Sequence, residues 1–215
     1  MKLYPVMINM TGKSAVIIGG GEVAARKLGD LLDSGARVKV VSPVFNDEII
    51  AAAGEFPLSV ELVNRKYIKG DLDSAMMVFS ATNDPEVNHE VFLEAESANI
   101  LINAVDDPPN CSFYVPSFVR RGDLLFSLST GGASPAMAAR LRRELEIHIP
   151  ENIDLLLEKL KIARDLLKSH NTFSRVASPE RGGIMKRIVS DDRLLHTLSA
   201  CKDEDEIIRF LLLLV

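Results

Sequence analysis

A short apolar strand that runs into three glycines and then a helix constrains the fold of this chain more than any other feature. Ala15 to Ile18 form the apolar run, and Gly19-Gly20-Gly21 follow it directly. A helical pattern then continues to Ser34-Gly35, where Gly35 is expected to end the helix. Residues 36–41 alternate as a second strand. Strand, glycine turn, helix and strand form a complete βαβ unit within about 30 residues.

This glycine motif predicts a dinucleotide site in an α/β domain with a Rossmann-type parallel sheet. Gly19, Gly21 and Ala24 occupy the three small positions of G-x-G-x-x-G/A. They serve the tight turn, the approach of a pyrophosphate and close packing of helix on strand. The N–H groups and the positive end of the helix dipole would hold the anion. An ordinary structural turn is the alternative, because glycine clusters also serve turns.

The residue expected to bind the ribose departs from the usual pattern. The acidic residue normally found about 20 residues downstream is replaced by Ser42, Pro43 and Val44. Hydroxyl and backbone groups would then bind the ribose, so the motif leaves NAD and NADP open. No arginine stands at this strand end to receive a 2′-phosphate, which favours NAD.

A later strand places polar side chains at its carboxyl end. Residues 76–81 are a continuous apolar run, typical of a parallel strand covered on both faces. Thr82 and Asn83 follow, and Asp84-Pro85 are expected to begin a helix. Because ligands bind beyond the carboxyl ends of such strands, Thr82 and Asn83 are predicted to contact the cofactor. Simple capping polarity is the alternative.

The next predicted strand, residues 100–105, delivers two adjacent carboxylates, Asp106 and Asp107. Carboxylates on a rigid strand end near the nucleotide are candidates for proton transfer. Turn formation before proline is the competing explanation, and it fits Asp107 better than Asp106. Position alone leaves both explanations open for Asp106.

The βαβ pattern stops near residue 112. Residues 117–121 are predicted as a turn of helix, and residues 124–129 as a strand in a small antiparallel layer. A second loop rich in glycine and hydroxyl side chains then leads to Ser134, the expected N-cap of a helix over residues 136–148. Such a helix end favours carboxylates or phosphates.

Arginines surround this second loop. Five of them lie within 24 residues: Arg120, Arg121, Arg140, Arg142 and Arg143. Arg142 and Glu146 can pair at i,i+4, so part of this charge belongs to an ordinary solvated helix face. In an acidic protein the cluster nevertheless suggests a polyanionic ligand. A smaller basic stretch, Arg65 to Lys69, is expected to be a solvated loop.

The rest of the chain is predicted to be helical. An amphipathic helix is expected over residues 153–167, Ser178-Pro179 and Gly182-Gly183 break the pattern, and two shorter helices complete the chain. We therefore divide the chain into a nucleotide-binding domain (1–112), a central segment (113–150) and a helical C-terminal domain (151–215).

Composition excludes several functions. A net charge of −5 argues against a nucleic-acid surface, and the apolar residues 210–215 are too few to cross a bilayer, so no membrane contact is expected. Cys111 and Cys201 lack the spacing of a metal site, and the histidines are scattered singly. No signal peptide precedes them, which indicates a cytoplasmic protein.

Four stretches, taken together, resemble the precorrin-2 dehydrogenase family, the dehydrogenase and ferrochelatase part of siroheme synthases. They are, in order, residues 16–27, 80–84, 103–107 and 129–135. The resemblance covers about residues 1–150, and the helical tail only in general character. It implies NAD-dependent oxidation of precorrin-2 to sirohydrochlorin, a step toward siroheme or cobalamin, and in some members insertion of ferrous iron. Because no methyltransferase domain follows residue 215, the chain resembles the stand-alone members.

The resemblance also implies roles for individual residues. Asp106 matches the family's catalytic aspartate, and Thr130 matches the serine or threonine of the second glycine loop. The family's nucleotide contacts fall on Glu22, Val23, Pro43 and Val44. Precorrin-2 is a polycarboxylate tetrapyrrole, and the residues predicted to bind it are Asn103, Thr130, Gly131, Gly132, Ser134, Arg120 and Arg140. The family is homodimeric through its central segment, with the active site between its two domains.

Two other functions stay open. A regulatory module could bind NAD through the same glycine motif and report to a partner without catalysis, in which case Asp106 would have no role. A chelatase could have lost its nucleotide, although the intact Gly19, Gly21 and Ala24 speak against this.

Overall fold

The computed structural model describes residues 3–215, which form two compact units, 3–115 and 116–215. Residues 1 and 2, which the predicted first domain includes, lie outside the described part. The division into three domains at 112 and 150 stays a prediction.

A five-stranded parallel sheet organises the first unit. The strand order is β3-β2-β1-β4-β5. Strands β2 and β3 are added on one side of β1, and β4 and β5 are then added on its other side. A reversal of this kind leaves a crevice at the carboxyl edge of the sheet, where ligands bind. The elements are β1 (Ser14–Ile18), α1 (Glu22–Asp33), β2 (Arg37–Val41), α2 (Asp47–Glu55), β3 (Val60–Val63), β4 (Met77–Ser80), α3 (Pro85–Ala98) and β5 (Leu101–Ala104).

Both faces of this sheet are buried. Along β1, Ala15 and Ile17 pack with α1 and α2, whereas Val16 and Ile18 pack on the opposite face with α3. Alternate residues of a strand point to opposite faces, so a strand covered on both sides reads as a continuous apolar run. This explains why the strands at 15–18 and 76–81 were recognisable from sequence.

Glycine ends α1 as predicted. Gly35 has a positive φ of 75°, and its N–H donates to Leu32 O at 2.8 Å while Ala36 N–H donates to Leu31 O at 3.0 Å. These two bonds form a Schellman motif, which satisfies the last carbonyl groups of the helix. The chain therefore turns sharply into β2.

The second unit joins a hairpin to helices. Strands β6 (Ser117–Arg121) and β7 (Leu124–Leu128) are antiparallel, and α4 (Pro135–Glu146) packs on them. The remaining helices surround a separate core that includes Leu167, Ile188, Leu198 and Leu211. They are α5 (Ile153–Ser169), α6 (Ser178–Ser190), α7 (Asp192–Ala200) and α8 (Glu204–Leu212).

Two local predictions in this unit were wrong. Residues 117–121 form strand β6 rather than a turn of helix, because they pair with β7 across a two-residue turn in which Gly122 has a φ of 54°. Gly182 and Gly183 lie inside α6, where the buried Ile184 and Ile188 offset the poor helix propensity of glycine. Three helices therefore follow α5 instead of two.

The predicted fold class is confirmed: a Rossmann-type parallel sheet, a small α+β segment and a helical region follow one another. Within residues 3–215, every helix is too short or too polar to cross a membrane.

Candidate functional site

A cleft of about 760 Å³ opens at the carboxyl edge of the parallel sheet. Loops after four strands meet there, namely those that follow β1, β2, β3 and β4. Nine of the ten predicted cofactor residues line it: Gly19, Gly21, Glu22, Val23, Ser42, Pro43, Val44, Thr82 and Asn83. The tenth, Ala24, is fully buried on the face of α1 that packs against the sheet, and it takes the packing position of the motif.

Two of the three glycines are required by close backbone contacts. Gly19 has a φ of 126°, and a Cβ there would lie 2.3 Å from Ala81 O. A Cβ on Gly20 would lie 1.9 Å from Val44 O. Real side chains do not tolerate such distances, so the loop fits only as glycine. The motif alone did not predict the need for Gly20, because that position is variable in G-x-G-x-x-G.

Gly21 differs from its neighbours because the space beside it is open. It is the N-cap of α1, it carries no side chain to cap the helix, and a Cβ there would meet no atom within 4 Å. In the same unit α2 is capped by Asn46 and α3 by Asp84. The first N–H groups of α1 are therefore left for an anion, and the residues present fit a dinucleotide pyrophosphate.

The loop after β2 is shaped by its own serine. Ser42 is 6% exposed, and its hydroxyl donates to Val44 O at 2.7 Å. Asn64 Nδ2, from the loop after β3, donates to Pro43 O at 3.0 Å. The Ser42 hydroxyl thus holds the turn, and the cleft wall it shapes presents Pro43 and Val44 in the place of the missing acidic residue.

The loop after β4 is also preformed. Thr82 Oγ1 accepts from Asp84 N–H at 2.8 Å, and Thr82 O accepts from Asn88 Nδ2 at 3.1 Å. Thr82 therefore has the structural role at the start of α3 that was the alternative to cofactor binding, although Thr82 also lines the cleft. Asn83 is exposed, and within residues 3–215 its side chain makes no hydrogen bond. Of the two, Asn83 is the freer to bind a ligand.

Asp106 and Asp107 have different environments at the end of β5. Asp107 accepts from Asn110 Nδ2 at 2.6 Å, as a turn residue would. Asp106 is exposed, and its carboxylate makes no hydrogen bond or ion pair in the described chain. Its φ of 60° lies in the left-handed region, which costs a non-glycine residue about 1 kcal/mol or more. The structure thus gives Asp107 the turn bond that the sequence favoured for it and leaves the Asp106 carboxylate free within residues 3–215.

Asn103, predicted to bind substrate, has a structural bond instead. Its Nδ2 donates to Phe113 O at 3.0 Å and fastens β5 to the segment that follows. Cys111 lies beside it, with Sγ donating to Ala104 O at 3.1 Å. Burial raises the pKa of this thiol, which keeps it protonated at neutral pH.

The second glycine loop, in the unit 116–215, closes on itself. Thr130 Oγ1 donates to Ser134 O and accepts from Ser134 N–H, each at 3.1 Å. Ser134 Oγ accepts from Met137 N–H at 3.2 Å and caps α4 as predicted. Gly131 and Gly132 supply positive φ values of 62° and 86°. The hydroxyls predicted to bind substrate are thus already engaged within the loop.

Much of the arginine cluster is paired. Arg140 binds Glu144 at 2.8 Å, and Arg142 forms its predicted bond with Glu146 at 2.8 Å. Arg121 lies 3.6 Å from Glu146. Arg120 is exposed and has no ion pair among the described residues. It is therefore better placed than Arg140 to receive a carboxylate.

Lys66 and Tyr67 also line the cleft, although the sequence indicated only a solvated loop for them. Their position after β3 was the available signal, because β3 is parallel to β2 and ends at the same edge. Within residues 3–215, no group of three or more His, Cys, Asp or Glu side chains could hold a metal ion.

Comparison with known proteins agrees with this geometry. Residues 6–117, just over half of the chain, match the family described as "Putative NAD(P)-binding", and residues 121–148 match the family described as "Sirohaem biosynthesis protein central". The chain is similar to the solved structure of SirC, a precorrin-2 dehydrogenase, with a TM-score of 0.78 and 25% identity over 99% of this chain and 98% of that one.

Curated relatives are longer than this chain. Siroheme synthase of Pseudoalteromonas atlantica is 35% identical over 169 residues, which are 79% of this chain and 36% of that protein. Siroheme synthase 1 of Aeromonas salmonicida is 34% identical over 200 residues, 93% of this chain and 41% of that protein. The chain thus spans about two fifths or less of these relatives. The predicted NAD-type cofactor and the resemblance drawn from the four motifs are confirmed by these matches.

Proposed function

The chain belongs to this NAD(P)-binding family, and we propose that it oxidises precorrin-2 to sirohydrochlorin with NAD as hydride acceptor, a step toward siroheme or cobalamin. The observation that carries the proposal is the pairing of two features at one sheet edge. Within residues 3–215, the N-terminus of α1 that follows β1 has no side-chain cap, and Asp106, which follows β5 with a φ of 60°, has no hydrogen bond or ion pair. A regulatory nucleotide-binding module has no need of the second feature.

The cofactor would lie along the cleft with its pyrophosphate at Gly21 and the N–H groups of Glu22 and Val23. When bound, NAD supplies the hydride acceptor. NAD is favoured over NADP because the wall presents Pro43 and Val44, with no arginine at the end of β2. Asn83, whose side chain makes no hydrogen bond to the described residues, would be free to hydrogen-bond to the cofactor.

Asp106 would remove the proton. Oxidation of precorrin-2 extends conjugation, so a ring carbon gives up a hydride and a second position gives up a proton. An exposed carboxylate with no partner of its own can accept that proton, and general-base catalysis contributes about 10²–10⁴-fold to rate. The same carboxylate could accept pyrrole N–H protons if the protein also inserts ferrous iron.

For the substrate carboxylates, the proposed contacts are Arg120 and the loop at Thr130 to Ser134. A homodimer through residues 113–150 accounts for the apolar side chains exposed on and after α4, where Met137 is 45%, Leu145 46% and Ile147 80% exposed. We place the protein in the cytoplasm, consistent with its two free cysteines.

The test is anaerobic incubation of the purified protein with precorrin-2 and either NAD or NADP, following reduced nicotinamide and sirohydrochlorin by absorbance. Asp106→Asn should lower kcat by about 10²–10⁴-fold, while the Kd for NAD stays unchanged. Asp107→Asn is the matched control, because its partner Asn110 marks it as a turn residue, and it should keep most of the activity.

Equal turnover by wild type and Asp106→Asn would remove the assignment of the base. If neither product forms while NAD still binds, the regulatory module replaces the dehydrogenase. Adding ferrous ion after sirohydrochlorin has formed tests the chelatase separately.

A further inference from the structure

The segment that follows β3 is held rigidly by two buried carboxylates. Glu94, on α3, is 8% exposed and accepts from Tyr67 Oη at 2.5 Å, from Gly70 N–H at 3.1 Å and from Leu72 N–H at 3.1 Å. A side chain from a neighbouring helix thus fixes three points of one loop. Buried carboxylates need such full satisfaction to be tolerated.

Asp71 fixes the same segment from within. It is 5% exposed, binds Arg65 through two bonds of 2.7 Å each, and accepts from Ile68 N–H at 2.9 Å. The Arg65 guanidinium lowers the pKa of this carboxyl, so the pair is intact at neutral pH. The chain from Arg65 to Leu72 is therefore fastened at several points by these two carboxylates.

This rigid segment presents Lys66 and Tyr67 to the dinucleotide cleft. Among the charged side chains that line the described cleft, Glu22 and Asp84 are negative and Lys66 alone is positive. The dinucleotide is an anion, so a single cation in the wall favours its binding. Burial and the Glu94 carboxylate raise the pKa of Tyr67, which therefore stays a neutral donor to Glu94.

The order of the strands indicates which half of the dinucleotide would lie beside Lys66 and Tyr67. The pyrophosphate position lies after β1, and Asp106 follows β5 at one side of it. The loops after β2 and β3 lie on the other side, and Asn64 joins them by its bond to Pro43 O. In βαβ dinucleotide folds the adenosine ribose binds beyond the second strand. Lys66 and Tyr67 thus face the adenosine half.

We propose that Lys66 and Tyr67 form an adenosine-binding wall of the cleft, and that Glu94 is a positioning residue that holds this wall through Tyr67 and the N–H groups of Gly70 and Leu72. The proposal rests on the proposed dinucleotide site but not on the reaction. It adds contacts from the loop after β3 beside the end of β2, where the usual acidic ribose contact is missing.

Calorimetric titration with NAD and with 5′-AMP tests the wall without any turnover. Lys66→Ala should weaken both ligands by about tenfold, or ~1.4 kcal/mol, and kcat at saturating NAD should not change. Lys69→Ala is the matched control: it removes the same charge from the same segment at an exposed residue that does not line the cleft. Equal weakening by the two variants, or none by Lys66→Ala, overturns the proposal.

Glu94→Gln tests positioning, and Tyr67→Phe provides a second variant in case the first fails to fold. Tyr67→Phe keeps the ring and removes only its hydroxyl bond to Glu94. Each folded variant should raise the Kd for 5′-AMP and the KM for NAD by several-fold while leaving kcat unchanged. Wild-type affinity for 5′-AMP in folded Tyr67→Phe or Glu94→Gln contradicts the positioning role. If a folded variant loses turnover but binds 5′-AMP normally, the positioning role is contradicted, and the residue acts on the reaction rather than on adenosine binding.

Discussion

Two glycine-rich loops lead into helices in this molecule, one at Gly19 to Gly21 before α1 and one at Ser129 to Ser134 before α4. The two loops are similar in sequence, but the first N–H groups of the helices that follow them differ in whether they already have a hydrogen-bond partner. At α4 the N-terminus is capped by Ser134, and Thr130 braces the loop through two bonds of 3.1 Å. At α1 no side chain among the described residues caps the helix, and they leave the space beside Gly21 open.

The difference shows that an unsatisfied helix end, rather than glycine content, marks an anion site. A capped helix has already met the hydrogen-bonding need of its first N–H groups. A ligand at the second loop must compete with the loop's own hydroxyls. A ligand at the first loop completes an otherwise incomplete helix end, which is why we assign the pyrophosphate there.

Replacing a glycine that lies against the backbone should give the largest difference in NAD affinity between a substitution in the first loop and one in the second. In Gly20→Ala the new Cβ would collide with Val44 O, a contact of 1.9 Å that cannot relax without moving the loop. We expect the affinity for NAD to fall at least a hundredfold, or ~2.7 kcal/mol, as measured by calorimetry.

Gly132→Ala is the control for this substitution. Its Cβ would meet nothing within 4 Å, although its φ of 86° makes alanine strained. It should lower the free energy of unfolding by about 1–2 kcal/mol and leave NAD affinity intact. If both variants lost NAD binding to the same degree, the two loops would not differ as described.

Adding a side-chain cap to α1 should make the first loop resemble the second, with a more stable helix end and weaker NAD binding. Gly21→Ser has room for its side chain, and a serine N-cap stabilises a helix relative to glycine by about a few tenths of a kcal/mol. The hydroxyl would occupy an N–H group that the pyrophosphate needs, so NAD affinity should drop by about tenfold, or ~1.4 kcal/mol.

Denaturant unfolding and calorimetry on one preparation would give both quantities for Gly21→Ser. Gly29→Ser makes the same chemical change at an exposed position inside α1 and should leave the Kd for NAD unaltered. Tighter NAD binding by Gly21→Ser would refute the role given to the uncapped end.

Removing the cap of α4 should have the smallest effect. Ser134→Ala loses the acceptor for Met137 N–H, so the free energy of unfolding should fall by about 1 kcal/mol, measured in urea. NAD affinity should stay at the wild-type value, because the substitution leaves the first loop untouched. Ser127→Ala, at an exposed position of β7, is the control and should leave stability unchanged. A Ser134→Ala protein of wild-type stability would show that the cap contributes nothing.

Sequence and structure agree best where local chemistry decides the conformation. Asp84-Pro85 and Ser134-Pro135 begin helices as predicted, and Gly35 ends α1. Capping and left-handed turns depend on a few adjacent residues, so a short stretch of sequence is enough to recognise them. They disagree at residues 117–121, where pairing with β7 overrides the local preference.

What the sequence determined by itself was the parallel sheet, the glycine turn and the order of the four motifs, because strand periodicity and turn chemistry are local. Tertiary structure alone decided which polar groups remain free. It engaged Asn103 with Phe113 O, and within residues 3–215 it left Asp106 without a hydrogen bond or ion pair. It also brought Lys66 and Tyr67 to the cleft through Glu94, 27 residues from Tyr67 along the chain. A hydrogen-bond partner distant in sequence, such as Glu94 for Tyr67, cannot be read from local pattern, whereas the bonds of Ser42 to Val44 and of Thr130 to Ser134 lie within their own turns.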